Sequence, residues 1–306
     1  MRPFKDWFGQ RSMVRVCGVV CAAGLLGAAL APLTAAAAGG RAVVPAVASS
    51  HHFTVVATSS NTHSDALTIN NSATNNKSHA LLFVNADYDA GGACGCHYVD
   101  QPIGVYYTGV KWQIVNEDGA SIALGTQFNV LVVAAPSANA FVFTSGPTNT
   151  IGDASFINKT ATNGKKTVKL QVTQTSDGVF DQRAVGVTYS NEFSQWAVFD
   201  EDGATMPNGS LFNVLVGTTG GGKLAVQKAT SSNSSGDATF INNSATNGKP
   251  GAFVLSTPNW NPNGAATGVS DTDPTGVWYD APSWAVFQED TSAVPLGAAF
   301  NLLLYG

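Results

Sequence analysis

Ile69-Asn-Asn-Ser-Ala-Thr-Asn75 returns as Ile157-Asn-Lys-Thr-Ala-Thr-Asn163 and again, unchanged, as Ile241-Asn-Asn-Ser-Ala-Thr-Asn247. Each copy is followed, in the same order, by a Gly-Val-x-Tyr, a lone Trp, an acidic pair and a Phe-Asn-hydrophobic run. The Trp-to-Phe spacing is 16 every time: Trp112 to Phe128, Trp196 to Phe212, Trp284 to Phe300. A period of 84 to 88 residues is too long for one solenoid turn and suits a small domain. The fold question therefore concerns one module used three times, over 51–135, 140–217 and 223–306. Pro136–Asn139 and Thr218–Gly222 are joins short enough to keep the modules neighbours.

Within a module the apolar period is two. Phe53, Val55 and Ala57 share a face, as do Trp112 with Ile114, Trp196 with Val198, and Phe128 with Val130 and Val132. Turn signals separate these runs: Asn163-Gly164, Asn247-Gly248, Asp118-Gly119 and Asp202-Gly203. No helical pattern survives beyond the N-terminal segment. About six short strands with one-sided alternation predict an all-β protein, built of three tandem antiparallel sandwich or barrel-like modules. Trp112, Trp196 and Trp284 are the expected core anchors. Tyr106, Thr188 and Trp278 occupy one position on the opposite side of their strand, and the tolerance of three such different side chains predicts a solvent face.

Charged residues make up only 11% of the chain, while Gly, Ala, Thr, Ser and Asn are abundant, a composition of secreted β-rich proteins. Arg2, Lys5, Arg11 and Arg15 form a basic start, Val16 to Leu33 is apolar, and Ala35–Ala38 offers small residues to a signal peptidase. A cleaved signal peptide over 1–38, a linker over 39–50 and a secreted or cell-surface destination are the expectation. The mature chain then has no membrane insertion and is three units more acidic than the −5 of the full sequence. An acidic surface without a basic cluster speaks against nucleic acid as a partner. Oligomeric state is not legible.

The third repeat carries Gly276-Val-Trp-Tyr279, Trp284-Ala-Val-Phe-Gln-Glu-Asp290 and Pro295-Leu-Gly-Ala-Ala-Phe-Asn301, with Asn259-Trp-Asn-Pro262 upstream. These strings resemble a family of secreted bacterial domains of unknown function. Its pattern reads Gly-Val-Trp-Tyr, Trp-Ala-Ile-Phe-Asn-Gln-Asp and Gly-Ala-Ala-Phe-Asn-Val. The resemblance spans all three modules. It departs at Val115, where the pattern has Phe, and module 2 lacks the Asn-Trp-Asn-Pro loop. It implies a bacterial extracellular setting and brings no activity.

Three sets of residues compete as sites. The pairs Glu117–Asp118, Glu201–Asp202 and Glu289–Asp290 follow each Trp strand and are weak calcium candidates. The simpler reading is a hairpin turn in which Asp favours the bend and Glu points to solvent. Cys94-Gly-Cys96-His97, with Asp87, Asp89 or His79 nearby, has metal-ligand residue types. In an exported chain a disulfide of Cys94 and Cys96, local or interchain, is the better account, and no metal or other cofactor is expected. Nineteen residues after the Ile of each phrase stand Tyr88, Ser176 and Trp260. Tyr88 lies between Asp87 and Asp89, and Trp260 between Asn259 and Asn261. A ring among amides and carboxylates on a glycine-rich loop is suited to sugar recognition. Its alternative is a ring folded back as a lid on its own sandwich.

All five histidines lie in module 1, which excludes a His-based site shared by the repeats, and no nucleophile–base motif occurs. The expectation is a non-catalytic binding protein, with polysaccharide or cell-envelope glycan as candidate partner and avidity from repetition. A structural or adhesive envelope protein with spacer modules is the alternative, and a carboxylate-based hydrolase the second alternative.

Overall fold

The computed structural model describes residues 50–176 and 178–306. The expected signal peptide and all of the linker but Ser50 lie outside the described residues. Module 1 contains β1 (Ser50–Val56), β2 (Thr62–His63), β3 (Ala66–Thr68), β4 (Leu81–Asp87), β5 (Ile103–Tyr107), β6 (Trp112–Asn116) and β7 (Gln127–Val133). Module 2 repeats the series as β8 (Ala140–Thr144), β9 (Thr150–Ile151), β10 (Ala154–Phe156), β11 (Leu170–Thr175), β12 (Val185–Ser190), β13 (Gln195–Asp200) and β14 (Leu211–Val216). Module 3 does so as β15 (Lys223–Lys228), β16 (Ser234–Ser235), β17 (Ala238–Ile241), β18 (Phe253–Pro258), β19 (Thr275–Asp280), β20 (Ser283–Gln288) and β21 (Ala299–Tyr305). Helix among the described residues is limited to two three-residue 3-10 turns, Ala90–Gly92 and Pro262–Gly264.

Each module is an open sandwich of a three-stranded and a four-stranded sheet, antiparallel within itself, and no barrel closes. In module 1 the layers are β1-β7-β4 and β2-β3-β6-β5. Between them lie Leu67, Leu82, Val84, Val105, Ile114, Phe128 and Val130 with Trp112. Modules 2 and 3 pack Trp196 and Trp284 in the same way. Each indole donates its N–H to the carbonyl of a lysine just after the repeat phrase: Lys77 at 2.9 Å, Lys165 at 3.1 Å and Lys249 at 2.9 Å. The phrase itself is a turn clamp. Asn75, Asn163 and Asn247 donate back to Asn70, Asn158 and Asn242, and Thr74, Thr162 and Thr246 are fully buried beneath them.

The modules are not beads on a string. The three-stranded sheet of module 1 continues, through parallel pairing of β4 with β19, into the four-stranded sheet of module 3. The three-stranded sheet of module 2 continues likewise, through β11 and β5, into module 1. A single parallel bridge, Val187 to Asn259, links module 3 to module 2. The antiparallel expectation thus holds inside a module and gives way to parallel pairing at every joint.

The three inner strands β4, β11 and β18 surround a pseudo-threefold axis and exchange hydrogen bonds in closed cycles. Val84 N–H donates to Thr173 Oγ1 (3.0 Å), Val172 N–H to Thr257 Oγ1 (3.1 Å) and Ser256 N–H to Asn85 Oδ1 (2.8 Å). A second cycle runs the other way: Asn129 Nδ2 to Val254 O (3.3 Å), Asn213 Nδ2 to Leu82 O (3.0 Å) and Asn301 Nδ2 to Leu170 O (3.1 Å). These three asparagines are the Asn of the Phe-Asn run. Strand alternation sends the Phe into its own module and the Asn into the neighbour. A fourth apolar cluster, drawn from all three modules and including Phe83, Leu131, Leu215, Leu255 and Leu303, lies beside the rings.

Emptying the site of fully buried Trp284 with Trp284→Ala should destabilise the protein by roughly 3–5 kcal/mol. Chemical denaturation checks this, and an unchanged midpoint would contradict the packing described.

Candidate functional site at the module joints

The acidic pairs divide their labour. Each Asp closes its turn by accepting a backbone N–H: Ala120 to Asp118 (2.9 Å), Ala204 to Asp202 (2.8 Å) and Ser292 to Asp290 (2.8 Å). The Glu does the opposite of what was expected. Glu117, Glu201 and Glu289 are buried and reach the next module: Ser176 Oγ donates to Glu117 (2.5 Å), Asp271 N–H to Glu201 (3.1 Å) and Val99 N–H to Glu289 (2.8 Å). Room for each carboxylate comes from the Gly of Gly-Val-x-Tyr. A Cβ on Gly104, Gly186 or Gly276 would collide with Oε1 of Glu117, Glu201 or Glu289. The two motifs recur together because one is the seat of the other. Since Glu and Asp of a pair diverge, they do not converge on calcium. Among the described residues no group of three or more His, Cys, Asp or Glu is placed to hold a metal ion.

More buried acids gather around these seats. Burial pushes Glu117, Asp87 and Asp271 up to about 7 and Glu289 to about 8. Asp181 and Asp200 are buried beside each other. Burial, then the charge of Asp181, pushes Asp200 up to about 9, and burial raises Asp181 as well.

The aromatic loops seal the joints from outside. Tyr88 N–H donates to Val277 O (3.0 Å) and Trp260 N–H to Val187 O (3.0 Å). The ring of Tyr88, from module 1, lies against Phe287 and Trp278 of module 3 at 5.8 and 6.3 Å. Trp260, from module 3, lies on Phe156, Ala197 and Phe199 of module 2. Each is a lid, but on its neighbour rather than on its own sandwich. The flanking polar residues are committed too. Asp89 accepts from Tyr279 N–H (2.8 Å), Asn261 from Tyr189 N–H (2.8 Å) and Thr188 Oγ1 (3.0 Å), and Asn259 donates to Asn301 (2.8 Å). Asp87 is buried. The expected solvent face at Tyr106, Thr188 and Trp278 is therefore a joint. Thr188 is buried and Trp278 half-buried, and only Tyr106, opposite the ringless Ser176 of module 2, is exposed.

Cys94 and Cys96 form a disulfide with each other, which removes both thiolates from any ligand set around His97. Beside this loop Gln127 fastens the segment to its own sheet, accepting from Ala90 N–H (2.6 Å) and donating to Ala93 O (3.0 Å). Module 3 has Ala299 at the position of Gln127. There a groove of about 290 Å³ stays open, lined by Val226, Lys228, Trp260, Pro262, Thr267 and Val269. Gly268 lets the returning loop lie against Trp260, since a Cβ there would collide with the Trp260 backbone carbonyl and come within 2.6 Å of its Cδ2. A smaller cleft of about 90 Å³ sits on the axis, with Gln101, Arg183 and Asp273 as its three equivalent rim residues. Arg183 is occupied by Asp202 (3.3 Å) and Asp181 (3.6 Å).

The buried acids set an unusual pH dependence. Their pKa values are higher in the folded protein than in the unfolded chain, near 4, so the folded state holds extra protons. Their contribution is complete below about pH 4 and is lost as pH rises through 7 to 8. The denaturation midpoint should fall between about pH 5 and pH 9, and Glu289→Gln should flatten part of that fall. A midpoint that rises over this range would contradict the protonated joints.

One family matches the chain three times, over residues 41–132, 111–216 and 186–304, described as a domain of unknown function, DUF7452. No curated protein and no solved structure matches. The second match begins just before the Trp strand of module 1 and the third on the Gly-Val strand of module 2, so consecutive matches overlap. With matches covering nearly the whole of the described structure, the chain belongs to the DUF7452 family, as three repeats of its domain.

Proposed function

We propose that this is an exported, non-catalytic protein whose three modules act as one body and whose binding site for an envelope or extracellular glycan is the groove beside Trp260. The observation that carries the reading is the groove itself: a half-buried indole, anchored on Phe156 and Phe199 of module 2, forming one wall of an open concavity. An aromatic ring in a mostly apolar groove with a few polar groups is the usual form of a small-ligand site. Lys228 and Thr267, rather than Asn259 and Asn261, would supply the directional contacts to hydroxyls. Avidity from three equal sites is not part of this reading. The matching place in module 1 is closed by Gln127, and the loop of module 2 is shorter. Export rests on the basic, apolar and alanine-rich pattern of residues 1–38.

The structural or adhesive alternative is favoured by one observation: the ring of Tyr88 is consumed by a joint. A carboxylate hydrolase needs an accessible acid pair, whereas Glu117, Glu201 and Glu289 are at most 3% exposed.

Retention on cell-wall and polysaccharide fractions tests the proposal. Wild type should be retained, with Trp260→Ala and Lys228→Gln each weakening retention several-fold. Tyr88→Ala, which loosens a joint without touching the groove, should be retained like wild type. If Trp260→Ala and Lys228→Gln bind as well as wild type, or wild type is not retained at all, the structural reading replaces this one.

A further inference from the structure

Cys94 and Cys96 stand two positions apart and are bonded to each other. A disulfide stabilises a fold chiefly by closing a loop of the unfolded chain, and its contribution shrinks with the length of that loop. With only Gly95 between the two cysteines, the loop closed here is very short, and the bond is a poor staple by position alone. The segment around it is also held without it. Gln127 binds Ala90 N–H and Ala93 O, Cys96 N–H donates to Tyr88 O (3.0 Å), and Val99 N–H donates to Glu289 of module 3 (2.8 Å).

Modules 2 and 3 run the same segment to their neighbours with no cysteine in it. His97 lies over Gly125 as Val179 lies over Gly209 and Val269 over Gly297, and where module 1 has Cys96 the other two have Gly178 and Gly268. The joint therefore does not require the bond. Two further observations point to chemistry instead. Both cysteines are exposed, so the bond faces solvent. The closed ring also contains Cys96 at a φ of 51°, a left-handed conformation that is unfavourable for a residue with a Cβ. Exposed and strained disulfides are the more readily reduced ones, in contrast to the structural disulfides of exported proteins.

We propose that Cys94–Cys96 is a redox-active disulfide whose substrates are thiols. A substrate thiolate attacks one of the two sulfurs and forms a mixed disulfide with it. The bond between the cysteines breaks, and the other cysteine leaves as a thiolate and takes a proton from water. A second substrate thiolate then attacks the substrate sulfur of the mixed disulfide and displaces the first cysteine. In sum, two thiols lose two electrons and two protons to become one disulfide, and Cys94 and Cys96 gain both as a dithiol. The reverse exchange, with a disulfide as oxidant, resets the pair. The activity does not depend on the Trp260 groove and stands or falls separately.

The test equilibrates the full folded chain with glutathione, quenches with acid, alkylates the free thiols and reads the peptide containing Cys94 and Cys96 by mass spectrometry. Reduced glutathione in excess should open most of the bond, and oxidised glutathione should close it again. Cys96→Ser, which leaves Cys94 without its partner, should form a mixed disulfide with oxidised glutathione. A reduced cysteine peptide at equal thiol concentration separates the sources of substrate: faster opening by the peptide identifies protein thiols, and faster opening by glutathione identifies small thiols. The reduced protein and the Cys94→Ser/Cys96→Ser variant should keep the denaturation midpoint of the oxidised wild type. The proposal is overturned if excess reduced glutathione leaves the bond closed, if Cys96→Ser takes up no glutathione, or if opening the bond lowers the midpoint as the loss of a structural staple would.

Discussion

The fold depends on hydrogen bonds exchanged between backbone and side chains around β4, β11 and β18, with the asparagines of β7, β14 and β21 taking part. A buried amide without a partner costs about 1–3 kcal/mol, while a made bond yields only about 1 kcal/mol net. The six cyclic bonds are therefore less a source of stability than a condition: any module removed from the ring strands polar groups of both neighbours in an apolar setting. With cycles of opposite sense, every module gives to and receives from both neighbours, so no pair of modules is complete by itself. The apolar cluster around Phe83, Leu255 and Leu303 supplies the driving force beside this polar lock.

The repeated motifs follow from that constraint. Phe-Asn places one residue in the module core and the next across the joint. Gly-Val-x-Tyr leaves a hole at Gly, fills the core with Val, presents x to the neighbouring loop and packs Tyr tilted or edge-on against the Trp. The acidic pair uses Asp to close a turn and Glu to fill the hole left by the glycine one strand away. A motif that looks like a surface hairpin in one module is a contact in the trimer-like whole. Among the described residues Arg183 is the cation ion-paired with these carboxyls, and burial raises the pKa values of the others, which couples the joints to pH.

Much of this was legible in the residues. Module number, the all-β class, the core tryptophans and the Asp turns follow from period-two alternation and turn chemistry, and all are internal to one module. What was not legible lies between modules. Alternation says that Thr188 and Trp278 face away from their own core, but not that Asn261 and Tyr88 from another module cover them. The burial of Glu117, Glu201 and Glu289 left one trace that the repeats did contain: each is accompanied by a glycine at a fixed strand position, and a residue that must be glycine in a strand signals the close approach of something else. Tyr88 and Trp260 stand out in the sequence as rings amid amides and carboxylates, and the structure places both on a neighbouring module. Their loops bridge modules, and an open groove lies beside Trp260.

The claim beneath all of this is that the three domains form one interlocked body. Small-angle scattering from the chain beginning at residue 50 measures it directly. A compact body of this length has a radius of gyration of about 18 Å, and that is the value the cyclic joints predict. Three separate modules in line, each with a radius of gyration near 12 Å, would give about 28 Å, and a value near that figure would contradict the account.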